Sequence, residues 1–335
     1  MSVSFDGVQK DTHHMAKRHL SRLLMTTVAH RHFIGRQTKL EIAASLGISR
    51  FKVARLIDEA VESGAVRFMI ADQEDYDTGL AEALSRQYGL RHAVVVRAHE
   101  LSSAELTEAL GRAAAALLEE TLVDGQTLAV AWGRTLSACA GALTKLPTID
   151  VVQAIGSLAG AEYAQSSVDL VHRLAALSRG TAYPLYLPMW FEDQGLVERL
   201  RNEPNVSRAI ARFTHIDVLV SGIGAWNPTN STLFATLPTA WQEQAQAAGT
   251  CADLCTVLIN VAGQEVKTPL AANVVGLSAA QIRSLPTVIG VAGGREKTDA
   301  IRAVLRGGWL TTLVTDAEVA HRLLECRSNE HDMLV

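Results

Sequence analysis

The chain has 335 residues, 48% of them hydrophobic and 20% charged, with a net charge of −4. That length and apolar fraction suit a small domain joined to a larger one with its own core. No apolar run is long enough to cross a bilayer, no secretory leader is read, and the four cysteines lack paired spacing. These observations exclude a membrane-spanning or disulfide-built protein and lead us to expect a cytoplasmic one with reduced thiols, no metal and no cofactor.

In chain order, residues 1–14 are polar and read as a flexible tail. Residues 16–31 read as a helix with Leu20, Leu23, Leu24, Thr27 and Val28 on one face. Five of the eleven histidines fall within residues 13–32, but without Cys or carboxylate partners at ligand spacing they read as a solvated segment.

Residues 38–57, TKLEIAASLGISRFKVARLI, carry the spacing of a helix-turn-helix. Ile42 and Leu46 face inward, Ala43 is small where two helices approach, and Gly47 can take the positive φ of a sharp turn. Ile48 plugs that turn, and Val53 and Leu56 return to the core at helical spacing. Thr38 with Glu41 reads as a capping box and Ser49 as the cap of the second helix. The polar remainder, Thr38, Lys39, Ser49, Arg50, Phe51, Lys52 and Arg55, forms the candidate DNA-contacting set. A recognition helix presents its N-terminal residues to base edges, where Arg and Lys pair with guanine or hold phosphates. The competing reading is a helical hairpin with a solvated basic face.

Charge separates the two ends of the chain. Residues 1–70 hold 11 Lys+Arg against 6 Asp+Glu, a net of +5, so the remainder carries −9 of the overall −4. A basic head on an acidic body is the footprint of a nucleic-acid module joined to something that does not bind nucleic acid. Residues 62–64 end the recognition helix, residues 65–70 read as a short wing strand, and the acidic stretch 71–78 reads as a linker. The DNA-binding domain is therefore expected over residues 15–70 and the second domain over 79–326.

Beyond the linker, strands and helices alternate. Strands are expected at residues 93–96, 128–131, 151–155, 182–187, 218–222, 288–292 and 311–314, separated by helices such as 104–118, 168–178 and 299–305. Continuously apolar strands alternating with helices predict an α/β fold with a doubly wound, mostly parallel sheet. Ligands of such sheets bind at the strands' C-terminal ends. Four of those ends carry suitable residues: Gly133, Arg134 and Thr135; Gly156 and Ser157 within the small-residue loop 153–160; Gly222 and Gly224; and the segment 292–297 ending in Lys297. Their convergence points to a phosphorylated or polyhydroxy ligand. Cys251 and Cys255 are expected one helical turn apart. Trp190 reads either as a pocket wall or as a core residue.

These segments resemble the SorC/DeoR-type family of sugar-responsive bacterial transcription regulators from about residue 20 to 325. The helix-turn-helix resembles that family's N-terminal domain. AWGRTL, VVQAIGSLAG, LVSGIGAW, VIGVAGGREKTDAIRAVLRGG and TTLVTDAEVAHRLL resemble successive segments of its effector domain. The resemblance implies an effector domain similar in fold to sugar-phosphate isomerases and glucosamine-phosphate deaminases. It implies a cytoplasmic homo-dimer or tetramer whose binding to double-stranded operator DNA is altered by a sugar, a polyol or their phosphates. It also implies that Gly133, Arg134, Thr135 and Lys297 lie in or beside the effector pocket. The chain departs from the family pattern at Gly249–Asp253, which keeps a carboxylate in Asp253, and at residues 260–263 and 271–273, which lose an acid and an arginine. Asp253 therefore joins the candidate effector residues, and the lost arginine favours a monophosphate or an unphosphorylated polyol. The expected function is a repressor of carbohydrate or polyol catabolism genes and not an enzyme. The alternatives are a sugar-phosphate isomerase or deaminase, for which no acid/base pair stands out, and a ligand-independent DNA binder, which an acidic body disfavours.

Overall fold

The computed structural model describes residues 21–67, 75–98, 101–158 and 167–325. The chain divides into two compact units between Ala71 and Asp72.

In the first unit, residues 21–29 are helical (α1) and continue into one π-helical turn, His30–Ile34. They are followed by α2 (Lys39–Leu46) and α3 (Arg50–Glu62). Thr38 and Glu41 close the expected capping box, with Thr38 Oγ1 accepting from the Glu41 N–H at 3.3 Å and Glu41 Oε2 accepting from the Thr38 N–H at 2.8 Å. Gly47 adopts φ 63°, ψ 31° at the end of α2. Ser49 Oγ caps α3 by accepting from the Lys52 N–H at 3.2 Å. The core of this unit is Met25, Val28, Ala29, Ile42, Ala43, Val53, Leu56, Ile57 and Ala60, with Leu24, Leu46 and Ile48 packed against it. The expected face of α1 is corrected here, because Leu23 is exposed and Met25 and Ala29 are buried instead. Residues 65–66 form a bend and residue 67 is irregular rather than strand, with the Val66 N–H bound to the Ala60 carbonyl at 2.8 Å. The rest of the expected wing, the tail and residues 16–20 lie outside the described residues.

The second unit begins inside the expected linker. Tyr76 bridges Val96 in an antiparallel contact, and Asp77 caps α4 (Thr78–Tyr88) while pairing with Arg97 at 3.5 Å. Residues 75–78 are thus structured, because their acid has a helix start and a cation to serve. β1 (His92–Val96), α5 (Ser103–Thr121), β2 (Thr127–Val130), α6 (Arg134–Ala142) and β3 (Asp150–Gln153) follow. Next come α7 (Ser167–Ser178), β4 (Ala182–Tyr183), α8 (Gln194–Arg201) and α9 (Pro204–Ala211). β5 (Val218–Ala225) leads to α10 (Thr232–Thr236), α11 (Thr239–Ala247), β6 (Thr250–Leu254) and β7 (Val257–Asn260). α12 (Leu270–Asn273), α13 (Ala279–Ser284), β8 (Thr287–Val291), α14 (Thr298–Arg306), β9 (Thr312–Asp316) and α15 (Ala317–Glu325) complete the unit.

The main sheet runs β4-β3-β2-β5-β8-β9-β1, and every pairing along it is parallel. Its central strands are buried on both faces: Thr127–Val130 and Val218–Ser221 have no exposed residue. The chain runs outward in one direction from β2 through β3 to β4, then returns to β5 and runs outward in the other. The order therefore reverses between β2 and β5, and a crevice opens at such a switch point beyond the strands' C-terminal ends.

Two strand expectations differ from the structure. The strand expected over 182–187 stops at Tyr183, since Pro184 has no N–H for the ladder. The hairpin of β6 and β7 is the larger surprise, an antiparallel arm paired through β6 to the last three residues of β5. Cys251 lies on β6 and Cys255 in the tight turn after it with φ 49°, so the helical spacing expected for them is replaced by strand and turn.

Candidate functional site

Three strand ends meet at the switch point around a cavity of about 300 Å³. β2 delivers Ala131 to Gly133, and α6 begins at Arg134. Gly133 has φ 138°, a conformation that L side chains rarely adopt, and among the described residues no side chain caps α6. The first turn of that helix, Gly133 to Thr135, lines the cavity with its positive end.

β5 contributes Ser221 to Gly224, and its last residues pair with β6 so that Gly224 lies opposite Asp253. A Cβ on Gly224 would stand 2.1 Å from Asp253 Oδ1. This glycine is therefore not a phosphate loop. It is the space into which a buried carboxylate fits. Asp253 is 7% exposed and accepts from Ser231 Oγ at 2.6 Å, while Ser231 also caps α10 through the Phe234 N–H at 3.0 Å. Burial pushes the Asp253 carboxyl above the ordinary carboxylate range, against the Ser231 hydrogen bond and the Lys297 charge, which pull it down.

After β8, the segment Gly293-Gly294 turns into one 3-10 turn, Arg295–Lys297, that leads into α14. The Gly294 N–H is held by Asp316 Oδ2 at 2.8 Å, and Asp316 Oδ1 accepts from the Val319 N–H at the start of α15 at 3.0 Å. Lys297 projects back across the sheet end, and its Nζ donates to the Ile223 carbonyl at 3.1 Å. Burial lowers the Lys297 ammonium from its ordinary value; Asp253 counters this, Arg134 adds to it, and Glu296 opposes it.

The cavity thus brings together Gly133, Arg134, Thr135, Gly222, Gly224, Asp253 and Lys297, seven of the nine candidate effector residues. Gly156 and Ser157 do not line it. A Cβ on Gly156 would come within 2.5 Å of the Pro188 carbonyl oxygen, and Ser157 exchanges backbone hydrogen bonds with Leu187 and Met189. Their small size serves the close lacing of three chain segments. Trp190 belongs to the same lacing, bridging Val274 and packing on Trp241 at 5.3 Å, so it is a packing residue. Asn273, in the departed family segment, donates to the Phe191 and Glu192 carbonyls at 2.6 and 2.8 Å and does not line the cavity.

Sequence reasoning missed Ser231, Thr229, Asn230 and Thr232, which contribute to the site from the turn after β5. The run Asn227-Pro228-Thr229-Asn230-Ser231-Thr232 was the available signal, a polar turn directly after a glycine-bearing strand. Glu318 at the start of α15 carried no signal that distinguished it from a surface carboxylate.

In the first unit, Arg50, Phe51, Lys52 and Arg55 are exposed on α3, away from the buried Val53, Leu56 and Ile57. Thr38 and Ser49 spend their side chains on capping. The Thr38 hydroxyl also donates to Glu41 Oε2 at 2.9 Å, and these bonds hold the Glu41 carboxyl below its usual range. Lys39 stands half-exposed at the start of α2.

A doubly wound sheet with a charged cavity at its switch point, preceded in the chain by a helix-turn-helix unit, is the arrangement of a transcription regulator. The family described as "Putative sugar-binding domain" matches residues 75–325, and the chain belongs to it. The transcriptional regulator LsrR of Enterobacter sp. (strain 638) is 28% identical over 291 residues, 86% of this chain and 88% of that protein. The erythritol catabolism regulatory protein EryD of Brucella abortus (strain 2308) is 27% identical over 299 residues, 88% of this chain and 93% of that one. The crystal structure of the full-length sorbitol operon regulator SorC from Klebsiella pneumoniae superposes with a TM-score of 0.69 at 25% identity, over 91% of this chain and 99% of that one. The resemblance to SorC-type regulators read from the sequence is thereby established.

Proposed function

We propose that this protein regulates carbohydrate or polyol catabolism genes, as a repressor released when a small effector fills the cavity at the β2/β5 switch point. The observation that carries this reading is the charge arrangement of that cavity. Among the described residues, Arg134, Arg295 and Lys297 are matched by Asp253, Glu296 and Glu318, three cations against three carboxylates. Balanced charge favours a neutral polyol or sugar, or a single phosphate, over a bisphosphate, which would bring more negative charge than the cations offset. The uncapped end of α6 with Arg134 suits the anionic or most polar end of such a ligand. The Asp253 carboxylate and the Ser231–Thr232 turn suit its hydroxyls.

The protein acts as a cytoplasmic homo-oligomer, since a dimeric reader places its two recognition helices on half-sites about one DNA turn apart. It is not an enzyme on this reading. Asp253 is held by Ser231 and Lys297 by a strand carbonyl, so each has a structural partner, and fold alone does not confer catalysis.

The test is a thermal-shift screen of the full-length protein against pentoses, hexoses, sugar alcohols and their monophosphates. A ligand at about 100 times its dissociation constant contributes roughly 2.7 kcal/mol. A stabilising compound is expected, with affinity weakened about 10- to 150-fold in Lys297→Met if it carries a phosphate, the scale of one lost charged hydrogen bond. A panel with no hit, or a phosphate hit that Lys297→Met binds as tightly, would contradict the assignment.

A further inference from the structure

Phe51 stands on the second residue of α3 and is 89% exposed, the most exposed of the large hydrophobic side chains among the described residues. Its neighbours in the first turn are Arg50 and Lys52, both exposed, and Arg55 follows one turn later on the same face. The core-facing residues of α3, namely Val53, Leu56, Ile57 and Ala60, occupy the opposite side. Phe51 therefore contributes nothing to the core of its own unit. Leaving a phenyl ring in water forgoes the roughly 1.5–3 kcal/mol its burial would contribute. A ring framed by three cations is also badly suited to a protein interface, where charge is depleted at the centre.

The surroundings define what would cover it. The N-terminal turn of a recognition helix faces the floor of the major groove, and its cations suit phosphates and guanine edges. A phenyl ring can make no hydrogen bond to a base. The apolar group that the major groove offers on its floor is the C5-methyl of thymine. We propose that Phe51 is a specificity-determining residue that packs on a thymine methyl in each operator half-site. Recognition then combines charge-directed docking by Arg50, Lys52 and Arg55 with one contact that reads a methyl group. The same contact would accept 5-methylcytosine in place of thymine, because the methyl occupies the same position on the pyrimidine ring. This inference rests on the reading of α2 and α3 as a DNA-binding element.

The experiment uses the full-length protein. An operator is first selected with the wild-type protein from a library of random duplexes, and each thymine in it is then replaced singly by deoxyuridine, which removes only the methyl. At one position per half-site, deoxyuridine is expected to weaken wild-type binding about fourfold, the scale of one buried methyl. Phe51→Ala is expected to bind the thymine and deoxyuridine duplexes equally, and Phe51→Leu to retain part of the discrimination. Phe51→Ala should melt at the wild-type temperature, since the ring is 89% exposed and outside the core of its unit. At the sensitive position, 5-methylcytosine should bind more tightly than cytosine for the wild type and not for Phe51→Ala. The proposal is overturned if no thymine position responds to deoxyuridine, or if Phe51→Ala keeps the full penalty. Loss of oligomer in Phe51→Ala with unaltered deoxyuridine response would overturn it in favour of a protein contact. Failure to select any duplex would overturn the DNA-binding reading itself, a different result from selection without methyl discrimination.

Discussion

Asp253 and Lys297 are held in opposite kinds of tension within one cavity. The carboxyl titrates above its ordinary value because burial disfavours its charge, and the ammonium titrates below its ordinary value for the same reason. For Asp253 the consequence for stability has a definite sign. The unfolded chain loses this proton near pH 3.8, whereas the folded protein keeps it to higher pH. Between those two values the folded state binds more protons, so stability falls as pH rises through the window and the loss is complete above the folded value. Asp253→Asn removes the titration and keeps an acceptor for Ser231. Relative to this variant, the wild type should lose stability as pH rises from about 4 toward neutral, read as a widening gap in urea midpoints. Midpoint curves that run parallel across that range would contradict the assignment of a buried, burial-raised carboxyl.

The elements divide into those whose signals are local and those whose signals are not. α2 and α3 could be read residue by residue, because caps, an αL glycine and helical spacing all act within a few positions. The parallel strands could be read too, because burial on both faces leaves unbroken apolar runs such as Val218–Val220 and Val288–Val291. The β6–β7 hairpin could not. Its sequence Thr250–Asn260 mixes Asp253, Thr256 and two cysteines with apolar residues, and its strand character comes from pairing with β5 rather than from its own pattern. Gly222 and Gly224 both line the cavity, but Gly224 makes room for the Asp253 carboxylate, a role its place in a glycine-bearing strand end does not reveal. Gly156 has the same small-residue signature and a packing role that only the neighbouring Pro188 reveals, while the Ser157 hydroxyl joins Gln153 and Ser167 in a polar network outside the cavity lining.

The tight turn of the helix-turn-helix allows a test at the same scale. Gly47 has φ +63°, and a methyl placed on it would find nothing within 4 Å, so Gly47→Ala would meet no steric clash and only a conformational penalty. That penalty is roughly 1–2 kcal/mol, which corresponds to about a 5- to 30-fold faster opening. Hydrogen exchange should show that acceleration for amides of α2 and α3 and none for α14. Equal acceleration in both units, or none in either, would contradict the view of Gly47 as a local conformational hinge of an independently packed first unit.

At the scale of the whole molecule, a basic unit with an exposed recognition helix and an acidic unit with a ligand cavity have a joint purpose only if their binding events are coupled. Coupling is a free energy shared by two sites, commonly about 1–3 kcal/mol, and it acts equally in both directions. The chain's low net charge of −4 conceals an uneven distribution, a head of +5 joined to a body of −9. The cavity's position follows from topology alone, because a sheet that winds outward in two directions from β2 and β5 must open between them. Nothing local to any one segment would encode such a coupling, so its strength is not legible in the sequence.

That coupling is the measurement of choice: the affinity of the full-length protein for its selected operator, titrated with and without the sugar, polyol or monophosphate that stabilises it. The expected result is a change in operator affinity of about 5- to 150-fold, with operator DNA changing the compound's own affinity by the same factor. A compound that binds the cavity at full occupancy and leaves operator affinity unchanged would contradict the account of this protein as an effector-controlled regulator.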